Sequence, residues 1–466
     1  MAATDRARAV LAGRLLALTL WAAGSLSAAA EPRGQPILFR RVEVPGRLTT
    51  TETVEGARLT YGGDVRIGDL TGDGQVDFVV FRNVPNTTKP SYLAAFAIDG
   101  NILWESGSGG GQPVRPGPVA MHDFDGDGRA EVLCFFVDGS EAPGDSLADV
   151  VLQLRDGATG RVLRQSAPGE LRAQRGDGPN WVHQRLLVCN LRGTDSPRDF
   201  VVKVGDKLFA YDEALRPLWT YRIRWNAYGR CGAYIPAVGD IDGDGRDEVN
   251  GGYFLLDAHG KPLWENPLGS HMDSVAIAEW DGGRMRAICS GFGHVVDARG
   301  RVVLRLGEGL VPHGQEVRVA DFLPESPGPE MAIRWNGHAP DVIVVTRTGK
   351  VAHRFRLNDS PNHTGMEAVF WHGPDGPAIL YNGGMLWTGR GEPLAALPGL
   401  PEPIGPSRMG WYHAIPANVC GDAHEDVVVY NPWTAAIWIY TPAPFERAAF
   451  GGYVPTARQY NVRLMD

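Results

Sequence analysis

The sequence has few cysteines and, after residue 31, no segment with the periodicity of an amphipathic helix. A helical bundle is therefore not expected, and neither is a small scaffold that depends on disulfides. The five cysteines are Cys134, Cys189, Cys231, Cys289 and Cys420. Their number is odd and their spacing is not that of a metal site, so we expect buried free thiols, with one disulfide as the alternative.

Long apolar runs are also scarce, and the clearest one lies near the N-terminus. Arg6, Arg8 and Arg14 accompany an apolar run that ends in small residues at 28–30. This arrangement is typical of a secretory signal peptide over residues 1–30, with a membrane anchor as the alternative. The sequence thus predicts a secreted or periplasmic protein without stable membrane insertion.

The chain has no excess of basic residues. Its formal net charge is −9, and residues 1–30 carry Asp5 and three arginines, so the remainder has a net charge of −11. A nucleic-acid partner is therefore not expected. Much of the negative charge lies in loops that could bind cations, so it opposes an acidic substrate less than the total indicates.

Glycine and proline are abundant, with 60 and 34 residues, and they lack collagen-like periodicity. Many tight turns between short strands are therefore expected, and the fold class is predicted to be all-β.

An acidic loop recurs along the whole chain. The clear copies are "GDLTGDGQVDFVVF" at Asp69, "HDFDGDGRAEVLCFF" at Asp123 and "GDIDGDGRDEVNGG" at Asp240. Weaker copies begin at Asn190, Glu279, Asp321, Trp371 and Asn418. An apolar run, a turn and another strand follow each loop, which gives four short strands per copy. Such a sheet cannot bury both faces alone, so the copies must pack against one another.

Eight copies predict an eight-bladed β-propeller, with seven blades as the alternative. The last copy lacks an outer strand, and "PILFRRVEVPG" from residue 36 could supply it. We therefore expect one propeller domain over residues 31–466, closed by an N-terminal strand.

The three clear loops place oxygen ligands at alternate positions around glycines, as in calcium-binding loops. The predicted metal ligands are Asp69, Thr71, Asp73, Asp77, Asp123, Asp125, Asp127, Glu131, Asp240, Asp242, Asp244 and Glu248. The alternative is an Asx-rich turn that binds no ion. The loops resemble FG-GAP and VCBS propeller repeats, a likeness that covers residues 60–435 and implies architecture more than function.

In a propeller blade the first strand runs along the central axis, so the residues before each acidic loop meet around the axis at the opposite face. The positions five to eight residues before the loops contain Tyr61, Arg115, His183, Tyr234, His271, His313, His363 and His413. Their neighbours include Trp181, Arg230, Asp273, Gln315 and Trp411. Five of the twelve histidines fall in this window, although any single one is more often a satisfied polar group than a catalyst.

Two chemistries suit such a ring. The first is β-elimination on a uronate-containing polysaccharide, which requires a base at C5, an acid at the leaving oxygen and a positive group at the carboxylate. The second is binding of zinc or another divalent metal by axial histidines. The two are compatible.

The stretch "GRCGAYIPAVGDIDGDGRDEVNGGYFLLDAHGKPLWENPLGSHMDSVAI", with "PHGQEVRVADF" and "RQYNVRLMD", resembles rhamnogalacturonan lyases of family 11 and, more distantly, ulvan lyases. The resemblance implies a calcium-binding propeller that cleaves a uronate-containing polysaccharide by β-elimination. Three polar pairs match the lineage at the axis: His271 with Asp273, His313 with Gln315, and Tyr234 with Arg230. No complete catalytic triad can be matched.

The favoured hypothesis is a polysaccharide lyase that acts as a monomer on an acidic polysaccharide. His271 or His313 is assigned as the base, Tyr234 as the acid, and Arg115 or Arg230 as the group that neutralises the carboxylate. The predicted substrate-binding residues are His183, His363, His413, Trp181, Trp411, Tyr61, Asp273 and Gln315.

The alternative is a non-catalytic carbohydrate-binding or adhesion propeller like the integrin head, which does not require clustered histidines. A glycoside hydrolase would need two facing carboxylates, and Asp273 is the only obvious one.

Overall fold

The structure is a computed structural model, and it describes residues 34–54, 56–113, 115, 117–138, 144–176, 181–224, 232–267, 272–360, 365–404, 412–445, 452–457 and 461. These residues form an eight-bladed β-propeller, so the predicted fold class is confirmed. The helical elements bounded within the described ranges are α1 (Gly169–Arg172) and two 3-10 turns, Gly46–Leu48 and Gly291–Gly293. Within these ranges, no helix has the length and apolarity needed to cross a membrane.

The strands are numbered in chain order. Three strands precede the first blade: β1 (Pro36–Glu43), β2 (Thr50–Val54) and β3 (Ala57–Tyr61). Blade 1 contains β4 (Asp64–Gly68), β5 (Asp77–Asn83), β6 (Pro90–Ala97) and β7 (Ile102–Gly107). Blade 2 contains β8 (Val119–His122), β9 (Glu131–Phe136), β10 (Val151–Arg155) and β11 (Val162–Ser166). Blade 3 contains β12 (Arg185–Cys189), β13 (Asp199–Val204), β14 (Lys207–Tyr211) and β15 (Pro217–Arg222). Blade 4 contains β16 (Ala237–Gly239), β17 (Glu248–Asn250), β18 (Phe254–Leu256) and β19 (Pro262–Glu265).

The remaining blades repeat this order. Blade 5 contains β20 (Val275–Glu279), β21 (Met285–Cys289), β22 (His294–Val296) and β23 (Val302–Arg305). Blade 6 contains β24 (Glu316–Ala320), β25 (Glu330–Arg334), β26 (Asp341–Val345) and β27 (Val351–Arg356). Blade 7 contains β28 (Glu367–Val369), β29 (Ile379–Asn382), β30 (Met385–Trp387) and β31 (Pro393–Ala396). Blade 8 contains β32 (His413–Ala417), β33 (Asp426–Asn431) and β34 (Ala436–Pro442), with β1 as its fourth strand.

The burial of each strand explains its composition. The second strand of blade 1, β5, is buried at all seven positions because neighbouring blades cover both faces of the sheet. The outer strand β15 instead alternates between exposed and half-buried residues, since only one of its faces packs inward. Apolar side chains of adjacent blades form shared clusters, so the core lies between the sheets.

Tryptophans of one blade pack on a turn of the next blade. Trp104 Nε1 donates to the Gly157 carbonyl at 2.6 Å, and a Cβ on Gly160 would lie 2.5 Å from the Trp104 ring. In the same way, Trp219 Nε1 donates to the Ala258 carbonyl at 2.9 Å, and a Cβ on Gly260 would lie 2.5 Å from its ring. Both glycines also have positive φ, so a side chain at either would be strained and would separate two blades.

The first and last strands meet in blade 8. β1 is antiparallel to β34, with partners from Pro36 and Pro442 to Glu43 and Ala436 and one irregularity near Leu38. The outer strand of this blade therefore comes from the beginning of the propeller sequence, and its backbone hydrogen bonds close the ring.

A C-terminal segment crosses the face that carries the acidic loops. The Tyr453 amide donates to the Gly74 carbonyl at 2.7 Å, and the Val454 amide donates to the Asn418 carbonyl at 2.9 Å. Further on, the Asn461 side chain accepts from the Val188 amide at 2.7 Å and donates to the Val188 carbonyl at 2.8 Å. The segment thereby connects blades 1, 8 and 3. Ala457 and Asn461 also line an axial cavity of about 280 Å³ whose other walls are mostly inner strands.

Candidate active site

The inner strands define two faces of the propeller. In every blade the first strand is the innermost, and it is followed by the acidic loop or its degenerate copy. All eight inner strands therefore begin at one face, which we call the front face, and the acidic loops lie on the opposite, back face. The predicted ring residues precede or begin inner strands, so those that the structure describes lie towards the front face, as expected.

His313 and Asp273 form an accessible polar pair among the ring residues that the structure describes. His313 Nε2 lies 3.1 Å from Asp273 Oδ2. The Asp273 side chain is 1% exposed, whereas the His313 side chain is 41% exposed. An ionised carboxylate only accepts hydrogen bonds, so the neutral tautomer that pairs with Asp273 is the one with the proton on Nε2 and the lone pair on Nδ1. This pair joins blades 5 and 6 and presents a solvent-accessible imidazole base.

The Gln315 side chain lies deeper beside this pair. Gln315 is buried, and its backbone amide donates to the Arg334 carbonyl at 2.8 Å. It therefore contributes to the wall of blade 6 in the structure.

His183 and Tyr234 stack between blades 3 and 4. Their ring centroids lie 4.5 Å apart with an angle of 24° between the planes. Burial lowers the pKa of His183 well below its usual value, and the positive charges of Lys203, Arg115 and Arg185 lower this pKa further. His183 is therefore a neutral imidazole, and stacking on this imidazole positions the Tyr234 ring.

Positive charge is concentrated around His183. Arg185 and Lys203 are directly opposite each other on β12 and β13, and both are buried. Two like charges at such cross-strand positions give this region a positive potential. Arg115 is half-buried and is the most accessible of the three. It remains suitable as the group that neutralises a substrate carboxylate.

Several predicted substrate-binding residues are buried in the structure. Tyr61 is 0% exposed and lies 4.6 Å from the Trp433 ring, and His413 is 1% exposed and lies 5.3 Å from the Tyr430 ring. Trp181 is 7% exposed, and its Nε1 donates to Asp145 Oδ2 at 2.6 Å. Each of the three packs inside or between blades in the structure, and their predicted role in substrate contact stays a prediction.

Four predicted residues, His271, Arg230, His363 and Trp411, lie outside the described residues. The axial metal prediction depends partly on two of them. Among the described residues, the groups of three or more carboxylate, imidazole or thiolate ligands close enough for one ion lie only in two acidic loops. Binding of zinc or another divalent metal at the axis stays a prediction.

Sequence reasoning missed four front-face residues: Asp64, Arg185, Lys203 and His338. Asp64 and Arg185 lie five residues before their loops, in the two segments where Tyr61 and His183 are the predicted ring residues. Lys203 is the last residue but one of a second strand, and His338 lies between a second and a third strand. Because second strands run back to the front face, a search of their ends would have found both.

Asp64 begins the first inner strand and is fully buried. Burial raises the pKa of Asp64 to about 7, against the opposing effects of Arg66 and Arg185. The folded state therefore binds a proton more tightly than the unfolded state, so Asp64 stabilises the fold at low pH. This contribution is lost as pH rises from about 4 to about 7.

We predict that Asp64→Asn removes the contribution of Asp64 to the pH dependence of the free energy of unfolding. The free energy of unfolding of the wild type should fall relative to that of the variant by on the order of 4 kcal/mol between pH 4 and 8. Urea unfolding at several pH values measures it, with the exposed Asp375→Asn as control. If the free energy of unfolding changes equally with pH in the wild type and in Asp64→Asn, the prediction is wrong.

The three clear acidic loops share one hydrogen-bond pattern. The first aspartate accepts from the amides three and five residues later; for Asp240 these are Gly243 at 2.6 Å and Gly245 at 2.9 Å. The ninth residue accepts from the amide of the second, as Glu248 does from Ile241 at 3.0 Å. The equivalent first residues are Asp69 and Asp123, and the equivalent ninth residues are Asp77 and Glu131.

The loops also contain groups that suit a cation. The ligand atoms of Asp240, Asp242 and Glu248 lie within 4.8 Å of one another, and so do those of the second loop's three aspartates, Asp123, Asp125 and Asp127. Burial raises the pKa of Glu248 to about 8, and the neighbouring aspartates raise it as well. A bound cation would remove that repulsion.

The remaining predicted ligands differ among the loops. The Thr71 hydroxyl is buried and has no hydrogen-bond partner among the described residues, so its oxygen suits the role of a cation ligand in the first loop. Asp73 and Asp244 accept from backbone amides two residues later. Asp127 is instead engaged by the backbone and the guanidinium of Arg129, which competes with an ion there.

Comparisons with known proteins agree with the resemblance seen in the sequence. The model of the C-terminal domain of rhamnogalacturonan lyase family 11 matches residues 42–168. Two Bacillus subtilis proteins, rhamnogalacturonan endolyase YesW and rhamnogalacturonan exolyase YesX, are each 26% identical to this chain, over 278 and 275 residues. Each alignment covers 50% of this chain and 44% of the relative, so this chain spans less than half the length of either.

Solved structures show the same fold. The exotype lyase YesX superposes with a TM-score of 0.67 at 20% identity, covering 87% of this chain and 76% of the other. YesW gives a TM-score of 0.64 at 21% identity, covering 86% and 75%. The Bacillus licheniformis rhamnogalacturonan lyase PL11 gives 0.62 at 21% identity, with the same coverage. The predicted resemblance to the family 11 propeller is confirmed.

Proposed function

We propose that this protein is a polysaccharide lyase that cleaves a uronate-containing polysaccharide, of the rhamnogalacturonan class, by β-elimination at the front face. The observation that carries the proposal is the His313–Asp273 pair, a solvent-accessible imidazole whose Nε2 is held at 3.1 Å by a buried carboxylate. The similarity to rhamnogalacturonan lyases supports the substrate class.

In this reaction His313 removes the proton from C5 of the uronate. Asp273 orients the ring and stabilises the imidazolium that forms, because its carboxylate faces the protonated Nε2. Charge then develops on the substrate carboxylate, and a positive group must face it. Arg115 fills this role because it is the most accessible of the three cations around His183, while buried Arg185 and Lys203 add a positive potential.

The test is incubation of the purified protein with rhamnogalacturonan, pectin and ulvan, following the ultraviolet absorbance of unsaturated uronate. A rise with rhamnogalacturonan is expected, together with products that carry a C4–C5 double bond in mass spectrometry. Binding of these polymers without any rise would favour the non-catalytic binding module.

The acidic loops of the back face are proposed to bind structural calcium. When bound, calcium would neutralise the clustered carboxylates of Asp240, Asp242 and Glu248 and so stabilise the turn between the first and second strands of the blade. Asp123, Asp125 and Glu131 would act in the second loop, and Asp69, Thr71 and Asp77 in the first.

We predict that Ca²⁺ raises the midpoint of thermal unfolding and that chelator lowers it. Calcium at about 100 times its dissociation constant would add about 2.7 kcal/mol per site. Asp242→Asn should reduce the shift, whereas Asp375→Asn, in a degenerate loop, should not. Equal midpoints with calcium and with chelator, measured by calorimetry, would remove calcium from these loops.

We further propose that the protein acts outside the cytoplasm, as the predicted signal segment indicates, and as a monomer. Detection in the culture supernatant or periplasm, and the mass in solution, test these two points.

A further inference from the structure

His338 lies on the front face beside His313, in the loop that joins β25 to β26. His338 is exposed, and its carbonyl accepts from Ser360 Oγ at 3.0 Å. The Ala339 amide donates to the Asn336 carbonyl at 3.1 Å, which closes a turn around the histidine. The backbone that carries this side chain is therefore fixed although the imidazole itself reaches solvent.

The same loop is bonded directly to the segment that carries His313. The His313 amide donates to the Trp335 carbonyl at 3.3 Å, and the Gly337 amide donates to the His313 carbonyl at 2.9 Å. His313 and Asn336 form a parallel bridge between the two segments. The two histidines consequently have a defined relative position.

The two imidazoles lie close to each other. The ring centroids of His313 and His338 lie 6.3 Å apart, with an angle of 68° between the planes. A Cβ on Gly337 would lie 3.2 Å from His313 Nδ1, so the loop that carries His338 adjoins this nitrogen and not Nε2, which pairs with Asp273. The basic nitrogen of His313 therefore faces the loop that carries His338. Because a hydrogen bond spans about 3 Å, one nitrogen of each imidazole can contact neighbouring atoms of the same substrate.

We propose that His338 is the catalytic acid of the elimination, donating a proton to the leaving glycosidic oxygen while His313 takes the C5 proton. This inference rests on the proposed function. The electron pair of the C5–H bond forms the C4=C5 double bond, the C4–O bond breaks, and the leaving oxygen receives the proton of His338. One imidazole gains a proton and the other loses one, and exchange with solvent restores both. The reaction consumes no water.

The tyrosines that the structure describes near the axis are less suited to this role. Tyr234 stacks on His183 between blades 3 and 4, whereas His313 pairs with Asp273 at blades 5 and 6. Tyr61 is fully buried, and burial raises its pKa well above the usual value for tyrosine, so it neither contacts a polymer nor releases a proton readily. His338, which is adjacent to the base, is therefore preferred here to the predicted acid, Tyr234.

The test compares His338→Ala and His338→Gln with the wild type on rhamnogalacturonan. We expect kcat to fall by about 10²-fold with KM changed only a few-fold, because an acid acts in the transition state. Added imidazole should restore part of the kcat of His338→Ala, in which the side chain leaves a gap, and little of that of His338→Gln. His259→Gln, an exposed histidine on an outer turn of blade 4, is the matched control and should keep full activity.

The outcomes separate the two levels of the proposal. A wild type that forms no unsaturated product overturns the proposed function and this inference with it. An active wild type with unchanged kcat in both His338 variants, or with a loss confined to KM, overturns only the role of His338. A loss of kcat that imidazole does not restore in His338→Ala would assign His338 a structural role and likewise overturn the inference.

Discussion

His313→Ala is expected to lower kcat for eliminative cleavage by about 10²- to 10⁴-fold, the usual contribution of a general base. The unfolding temperature should change little, because the His313 side chain is 41% exposed and packs little apolar surface. Initial rates of unsaturated-uronate formation, with differential scanning calorimetry on the same samples, measure both quantities.

Asp273→Asn is the matched variant for this prediction. It preserves the size of the side chain but replaces the carboxylate that faces Nε2 at 3.1 Å, so the imidazolium loses its counter-charge. We expect a smaller loss of kcat than for His313→Ala, since the base remains present. If His313→Ala keeps full activity, His313 is not the base, and the unsaturated product must arise through another residue.

The fold was predictable because the acidic loops mark the first hairpin of every blade. Even the degenerate copies at Asn190 and Asp321 keep a polar residue at the end of an inner strand, followed by an apolar second strand. Counting these units indicates eight sheets. The last copy also has three strands in sequence, and β1 completes it in the structure.

The C-terminal segment could not be predicted in this way. Its contacts with Gly74 and Asn418 join backbone atoms, which have no sequence signature. Its side-chain contact, from Asn461 to Val188, crosses 273 residues of chain. A repeat pattern predicts the contacts within a blade and between neighbouring blades. It therefore does not predict the contacts of a C-terminal segment that connects blades 1, 8 and 3.

The site was predictable in its location and less so in its members. The position of a residue before an inner strand places it at the front face, but the direction of its side chain depends on the blade that it faces. Trp181 and His413 satisfy the positional rule, yet both are buried by packing. The positional rule does not identify His338, because this residue lies on a different hairpin of its blade. The proximity of that hairpin to His313 is a tertiary contact, which the sequence pattern does not predict.

Glu316→Gln is expected to lower the free energy of unfolding by about 3–5 kcal/mol, because it removes the larger of the two negative charges, Glu316 and Asp359, that stabilise the buried Arg334 guanidinium. Arg334 Nε lies 2.6 Å from Glu316 Oε2, and both side chains are 0% exposed. Burial lowers the pKa of Arg334, and the charges of Glu316 and, to a lesser degree, Asp359 raise it, so both carboxylates stabilise the cation in this site. Urea unfolding followed by circular dichroism measures the loss.

Two controls make this prediction specific to burial. The exposed pair Arg41 and Glu43 has a similar separation of 2.7 Å, and Glu43→Gln should change the free energy of unfolding by less than about 0.5 kcal/mol. The double variant Glu316→Leu with Arg334→Met removes both charges and should lose less than Glu316→Gln alone. A loss below about 1 kcal/mol for Glu316→Gln would show that water or another group compensates the charge of Arg334.

The same ion pair bears on the proposed site. Arg334 ends β25 immediately before the loop that carries His338, and its carbonyl accepts from the Gln315 amide at 2.8 Å. Arg334 is therefore fixed at its side chain by Glu316 and at its backbone by the His313 segment. Because both proposed proton-transfer residues adjoin this anchor, Glu316→Gln should also lower kcat at temperatures well below unfolding, whereas Glu43→Gln should leave kcat unchanged.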